Sequence, residues 1–415
     1  MHFFLSPFGS SGDVFPMLGL AVELQRRGAR VTVATNPHFE SRIRGNDIAF
    51  HPIGTEEDYR RIASHPDLWH PRRSFGYLFE NLKPFIPPQY EFFARASQED
   101  GAIGIVNCFG FGGLAAMEKF HFPVYTLHLQ PAVLWSDLNP PKMPNLHGPK
   151  WMRRLLFRIG ERFVLDRTAC PFLNRWRASL GLPPIRQLTR AWNSSRGTLC
   201  LFPDWYAPLQ DDWPKPCLQT DFPLWNHASD QPLPEVLQRF LEQGDAPIVF
   251  TPGSANRHGA NFFRVAMDSI VRMGKRAIFL TEYREQIPSP LPDSILWVPY
   301  VALDQILPRA AAFVHHGGIG SASQALLASI PQVIMPLAHD QFDNAERLER
   351  LGVAYSLPPN RFRTGRLITI LETLLRDPAV PARCQELTSR MEKGRGLREL
   401  ARLLCEDRGR SLPGD

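Results

Sequence analysis

Two kinds of apolar pattern alternate along this chain, solid short runs and stretches at helical spacing, and their order predicts the architecture. The run His2-Phe3-Phe4-Leu5 reads as a buried strand closed by Pro7 and Gly9. Val14, Met17, Leu18, Leu20, Ala21 and Leu24 then recur at helical spacing, with Gly28 as the stop. Arg30–Thr35 is a second strand. This strand–loop–helix–strand order is a parallel unit whose loop lies at the carboxyl edge of the first strand. Further strands are predicted at Ile103–Val106 and Val124–Leu127, and residues 150–180 form a basic, apolar helical stretch.

From Phe202 to Pro234 prolines and tryptophans crowd together, which predicts a stiff irregular linker. The alternation then restarts, with strands at Ile248–Thr251, Arg276–Leu280, Ile295–Val298, Ala311–His315 and Gln332–Met335. Helices are predicted from the glycines after His316 to about Ala328, after Asp340, from about Gly365 to Arg376, and from Pro381 to Leu404. The chain thus reads as α/β, with two doubly wound Rossmann-like domains, 1–200 and 235–415, joined by residues 201–234. Such domains are expected to face each other across a cleft at the carboxyl ends of their strands, where these folds bind ligands.

Length agrees with this division, since 415 residues exceed one compact core. The first residues lack the basic region and long apolar run of a signal peptide, and no stretch of about 20 apolar residues predicts a membrane span. Six cysteines are scattered without metal-ligand or disulfide spacing, which fits a reducing cytoplasm. A net charge of +6 suits an anionic ligand or a membrane surface, and no nucleic-acid-binding signature accompanies it. The arginines of residues 150–180 can face solvent or lipid headgroups at the periphery of a membrane.

Candidate chemistry concentrates at residues 311–344. A buried strand runs into His315-His316-Gly317-Gly318-Ile319-Gly320-Ser321, where glycines let a ligand approach the backbone and a helix start presents unpaired N–H groups. This predicts a pyrophosphate seat that is neither a P-loop nor a GxGxxG turn. Standing alone, His315 would read as a core histidine at a strand end, and Asp340 as a helix N-cap.

The segment resembles the donor signature of the glycosyltransferase family that includes plant small-molecule, sterol and bacterial antibiotic glycosyltransferases. The matching residues are His315, Gly317, Gly320, Ser321, Pro336, Asp340 and Gln341, with Trp297-Val298-Pro299-Tyr300 upstream. The resemblance implies the two-domain GT-B architecture. It implies that His315 and the amides of Gly317, Gly318, Gly320 and Ser321 hold the diphosphate, with Ser254 adding a contact. Asp340 and Gln341 would hold sugar hydroxyls, and Trp297, with Tyr300 beside it, the base. Tyr300 stands where the family has Gln, which leaves uracil and thymine open. In the first loop Gly12-Asp13-Val14-Phe15-Pro16 matches a family element whose acid variant supplies the general base, so Asp13 is the catalytic candidate, although the residue also suits a helix start.

No strand-flanked Asp-x-Asp is present, so no metal and no cofactor is expected, and the reaction reads as a single inverting displacement. Over nearly its full length, in GSSGDVFPMLGLA, LFPDWYAPLQDDWP and AHDQFDNAERLERLG, the sequence resembles the rhamnosyltransferases of rhamnolipid biosynthesis. That implies dTDP-L-rhamnose as donor and a 3-(3-hydroxyalkanoyloxy)alkanoic acid as amphiphilic acceptor, with association with an acceptor-synthesising enzyme conceivable. UDP-glucose stays open as donor. A sugar-nucleotide epimerase-hydrolase and a non-catalytic helper stay open as other classes. The aromatic segment after residue 55 and the loop near residue 110 offer Trp69, Phe75, Phe79, Phe109 and Phe111 as an acceptor pocket or as ordinary core.

Overall fold

A computed structural model describes residues 1–143, 146, 148–225, 232–254 and 256–407. Its chain divides into two compact units. The first holds Met1–Trp225 and the C-terminal segment beginning at Gly394, and the second holds Asn226–Lys393.

The first unit is built on seven parallel strands: β1 (His2–Ser6), β2 (Arg30–Thr35), β3 (Ala49–Pro52), β4 (Ala102–Val106), β5 (Val124–His128), β6 (Thr198–Cys200) and β7 (Cys217–Gln219). Their order is β3-β2-β1-β4-β5-β6-β7. All of β1, β4 and β5 is buried, as solid apolar runs require when helices cover both faces. The helix Ser11–Arg26 buries Val14, Met17, Leu18, Leu20, Ala21 and Leu24, the stripe its spacing predicts. Gly28, at φ +80°, takes the left-handed position just past its end.

The second unit carries six parallel strands, β8 (Ile248–Thr251), β9 (Ala277–Leu280), β10 (Ile295–Val298), β11 (Ala312–His315), β12 (Gln332–Ile334) and β13 (Ala354–Ser356). Their order is β10-β9-β8-β11-β12-β13. Both sheets reverse direction of growth beside their first strand, the doubly wound pattern that the order of elements predicts.

Two domain boundaries differ from expectation. The Pro/Trp-rich segment does not stand apart as a linker: Tyr206, Trp213 and Phe222 are buried, and β7 adds an edge strand to the first sheet. Residues 226–231 of the expected linker lie outside the described residues. The single helix expected over 381–404 is two, Ala379–Thr388 and Arg395–Asp407, and only the former stays with the second unit. The latter buries Leu397, Leu400, Ala401 and Leu404 in the first unit. There Gly19 on the helix Ser11–Arg26 leaves the room: a Cβ would lie 2.7 Å from Leu397 and 2.8 Å from Trp225. Arg395 pairs with the buried Asp221 at 2.6 Å. A terminal helix with an apolar stripe docks where that stripe is covered, whatever domain precedes it in sequence.

Strands β3, β6, β7 and β13 have three or four residues each and carry no readable alternation, which is why the pattern missed them. Among the described residues no helix is long and apolar enough to cross a membrane. None of the six cysteines, all of them among the described residues, is in a disulfide.

Candidate active site

In the first unit the loop between β1 and the helix Ser11–Arg26 is organised around Asp13. Ser10 is the N-cap, and Asp13 sits at the third helical position rather than at the cap itself. Its Oδ2 accepts the backbone N–H of Ser10 at 2.9 Å and the Ser10 hydroxyl at 3.2 Å, closing a capping box. Gly9 makes this approach possible. Its φ is +137°, and a Cβ there would lie 2.2 Å from Asp13 Oδ2. Desolvation raises the Asp13 pKa to about 6, against the two Ser10 hydrogen bonds, which lower it.

The same loop is tied to its neighbours at the carboxyl edge of the sheet. Thr35 donates its hydroxyl to Pro7 O at 2.8 Å, and Asn107 donates its side-chain amide to Phe8 O at 2.6 Å. Phe8 meets Phe85 at 5.7 Å and Phe109 at 6.0 Å between ring centroids. Of the aromatic acceptor candidates, Phe79 and Phe111 are buried among Leu82, Ile86, Ala169, Leu173 and Leu188. They are core, because both lie on helix faces turned inward. Phe75 and Phe109 are only partly buried at the edge of that cluster, and Phe8 shares their position. Trp69 ends the short turn Pro66–Trp69 and is half-buried.

In the second unit β11 ends at His315 and the helix Ile319–Leu327 follows. His315 is fully buried, and both ring nitrogens are engaged. Gly317 donates its N–H to Nδ1 at 3.1 Å, so Nε2 carries the hydrogen and donates to Gln332 Oε1 at 2.9 Å. Burial, and after it the neighbouring His316, push its pKa down to about 3, so the ring is neutral. His315 therefore holds the shape of the glycine turn, with neither ring nitrogen left over for the diphosphate it is expected to meet.

His316 has the matching vacancy. Its Nδ1 is buried without a hydrogen-bond partner among the described residues, and burial lowers its pKa to about 4. Two glycines enclose the ring: a Cβ on Gly253 would lie 2.9 Å from it, and one on Gly318 2.6 Å from its Nε2. Gly317, at φ +91°, packs where a Cβ would strike Ile334 at 2.6 Å. The helix beyond Gly318 has no side-chain cap, which leaves the amides of its first turn open to an anion. Gly320 and Ser321 lie in that turn, and Ser254 is exposed on the turn after β8. The doubled histidine was the available signal: the last strand residue points into the core and the next one leaves the sheet.

Asp340 occupies the N-cap position of the helix Gln341–Arg350, yet its side chain makes no capping bond. Its Oδ2 instead accepts from Asn344 at 2.6 Å, and the same Asn344 nitrogen donates to Gly317 O at 2.9 Å. Gln341 is buried, and its Oε1 accepts the N–H groups of Leu337 and Ala338 at 2.7 and 3.1 Å. Its carbonyl oxygen is thus committed to the loop. Asn344, which sequence reasoning missed, joins this loop to the glycine turn. Trp297 lies in β10, gives its Nε1–H to Thr281 O at 2.9 Å, and carries the Arg284 guanidinium 5.1 Å from its ring centroid. Tyr300 lies just beyond β10 and is exposed. Among the described residues no group of three or more His, Cys, Asp or Glu side chains could hold a metal ion.

Comparison with known proteins agrees with both halves of the chain. Residues 3–92 match the glycosyltransferase family 28 N-terminal domain, and residues 264–405 match the erythromycin biosynthesis protein CIII-like C-terminal domain. The O-mycaminosyltylonolide 6-deoxyallosyltransferase of Streptomyces fradiae is 31% identical over 428 aligned positions, covering 98% of this chain and 97% of that protein. Among solved structures, the glycosyltransferase of kitacinnamycin superposes with a TM-score of 0.76 at 19% identity, over 98% of this chain and 99% of that one. The spinosyn rhamnosyltransferase SpnG, complexed with thymidine diphosphate, superposes with a TM-score of 0.69 at 17% identity, over 97% and 100%.

Proposed function

The chain belongs to the glycosyltransferases that join a family 28 N-terminal domain to an erythromycin CIII-like C-terminal domain, enzymes of nucleotide-sugar transfer to small molecules, and on that premise we propose that it moves L-rhamnose from dTDP-L-rhamnose to the hydroxyl of an amphiphilic hydroxy-fatty acid. The observation that carries the chemistry is the placement of the Asp13 carboxylate in the loop after β1, where Gly9 leaves it room, Ser10 holds one oxygen, and burial raises its pKa to about 6. A carboxylate poised near pH 6 is a competent base at neutral pH, whereas one at the ordinary value is a weak base. The acceptor oxygen attacks the anomeric carbon as Asp13 takes its proton, the bond from that carbon to the phosphate oxygen breaks, and the nucleoside diphosphate leaves with inversion. His316 and the open amides at the start of the helix Ile319–Leu327 receive the leaving charge. Asp340 and the amide end of Gln341 hold the sugar, and Trp297 with Tyr300 flank the base. No metal takes part.

A thymidine nucleotide carrying a deoxysugar is supported by relatives whose names specify a 6-deoxyallosyl transfer and a thymidine diphosphate complex. The amphiphilic acceptor is supported by Phe8, Phe75 and Phe109, which remain partly exposed. The decisive experiment is a donor screen by mass spectrometry with one 3-(3-hydroxyalkanoyloxy)alkanoic acid. Mono-rhamnolipid from dTDP-rhamnose is expected. Product from UDP-glucose alone would overturn the donor, and donor hydrolysis without transfer would overturn the acceptor.

A further inference from the structure

We propose that the helical segment from Lys150 to Leu165 docks the protein on the surface of a bilayer containing anionic phospholipid. The segment comprises the helix Lys150–Gly160 and the π-helical turn Glu161–Leu165 that continues it. One side of it is fastened to the first unit. Arg153, Phe157 and Glu161 are buried, Phe157 stacks on Trp135, and Glu161 accepts from Gln187 at 2.7 Å.

The outer side carries two parallel rows. Trp151, Leu155, Ile159 and Phe163 repeat every four residues and form an apolar row, with Leu156 and Val164 beside it. All six are exposed, Trp151 by 67% and Phe163 by 65%, far more than isolated surface residues of this kind require. Lys150, Arg154, Arg158 and Arg162 repeat with the same period one residue earlier, so a cationic row runs alongside the apolar one. Within this row Arg154 pairs with Asp137 at 3.5 Å, and Arg158 pairs with the same carboxylate. Two guanidinium groups share that one carboxylate, so the pairing does not cancel the charge of the row.

This combination selects the occupant. An apolar row at the depth of the acyl boundary, with long cationic side chains beside it reaching the phosphates, is the pattern of an interfacial helix. A second copy of the chain would bring the same cationic row to the contact. The segment also rests on Trp135 and Asp137, which follow β5 at the carboxyl edge of the sheet, the edge that carries Asp13. The inference holds whatever the acceptor is.

The test is co-sedimentation of the full-length protein with large unilamellar vesicles of phosphatidylcholine alone or mixed with phosphatidylglycerol. The wild type is expected to bind the mixed vesicles at least tenfold more strongly, and less as salt rises. The triple variant Leu155→Ser, Ile159→Ser, Phe163→Ser should lose at least tenfold, and Lys150→Glu with Arg162→Glu several-fold. Melting temperature and affinity for free dTDP should stay unchanged in both, because all five side chains are exposed. Absence of binding to the mixed vesicles would overturn the proposal, as would equal binding by the triple variant. Self-association in sedimentation velocity that the triple variant abolishes, with no vesicle binding, would overturn it in favour of a second copy.

Discussion

Asn344 donates to Asp340 Oδ2 at 2.6 Å, and the same amide nitrogen reaches Gly317 O at 2.9 Å. One fully buried side chain therefore fixes the spacing between the glycine turn and the loop proposed to hold the sugar. Asn344→Leu removes the donor from both acceptors. The expected result is a donor KM raised about tenfold or more, with a loss of about 1–3 kcal/mol in stability for the stranded polar groups. Steady-state kinetics together with thermal unfolding would show it; an unchanged donor KM would remove Asn344 from its positioning role.

The two adjacent histidines should separate cleanly. His316→Ala should weaken binding of free dTDP by roughly tenfold or more, the worth of a hydrogen bond to a charged group, and leave the melting temperature near normal. His315→Ala should mainly destabilise, because it strands the Gly317 N–H and the Gln332 carbonyl oxygen. Isothermal titration calorimetry and thermal melts on both variants decide this. If His315→Ala lost dTDP affinity while His316→Ala kept it, the assignment would be reversed.

Asp13→Asn should lower turnover by about 10²–10⁴ while donor affinity changes little, the ordinary cost of removing a general base. The pH dependence has a definite sign. With the folded pKa at about 6 and the ordinary value at 3.8, the wild type should lose kcat as pH falls through 6. Folding stability should move the other way, being greatest below 3.8 in this one group's contribution and declining as pH rises through about 6. In Asp13→Asn both dependences should vanish. Turnover near wild type would leave Asp13 with a capping role only.

Gly9→Ala tests how the carboxylate is held. The added methyl would lie 2.2 Å from Asp13 Oδ2, at a φ of +137° that alanine resists. The carboxylate must shift, so kcat should fall about tenfold or more, with the acid limb of the pH–rate profile displaced from about pH 6. An unaltered profile would show that the Gly9 contact does not set the Asp13 environment.

Chelation tests the proposal that the reaction proceeds without a metal. EDTA should leave turnover unchanged, and inhibition that magnesium reverses would contradict the proposed displacement, in which His316 and backbone amides alone meet the leaving charge.

Much of this was legible in the residue order. Solid apolar runs between helical stripes determine doubly wound parallel sheets, because a strand covered on both faces can be apolar throughout. The loop positions of Asp13 and of the glycines after His316 follow from those elements, since parallel strands put their following loops on one edge. Spacing alone could not decide which of two adjacent histidines is locked and which is left with an unpartnered nitrogen. That depends on Gln332, from a neighbouring strand, reaching His315 and not His316. Nor could it separate Phe79 and Phe111, which close the core, from Phe8, Phe75 and Phe109 at its margin, because burial is set by what packs on each residue from elsewhere in the chain. The terminal helix shows the same division. Its apolar stripe determined that it must be covered, and only the tertiary structure decided that Gly19 and Trp225 of the first unit would cover it.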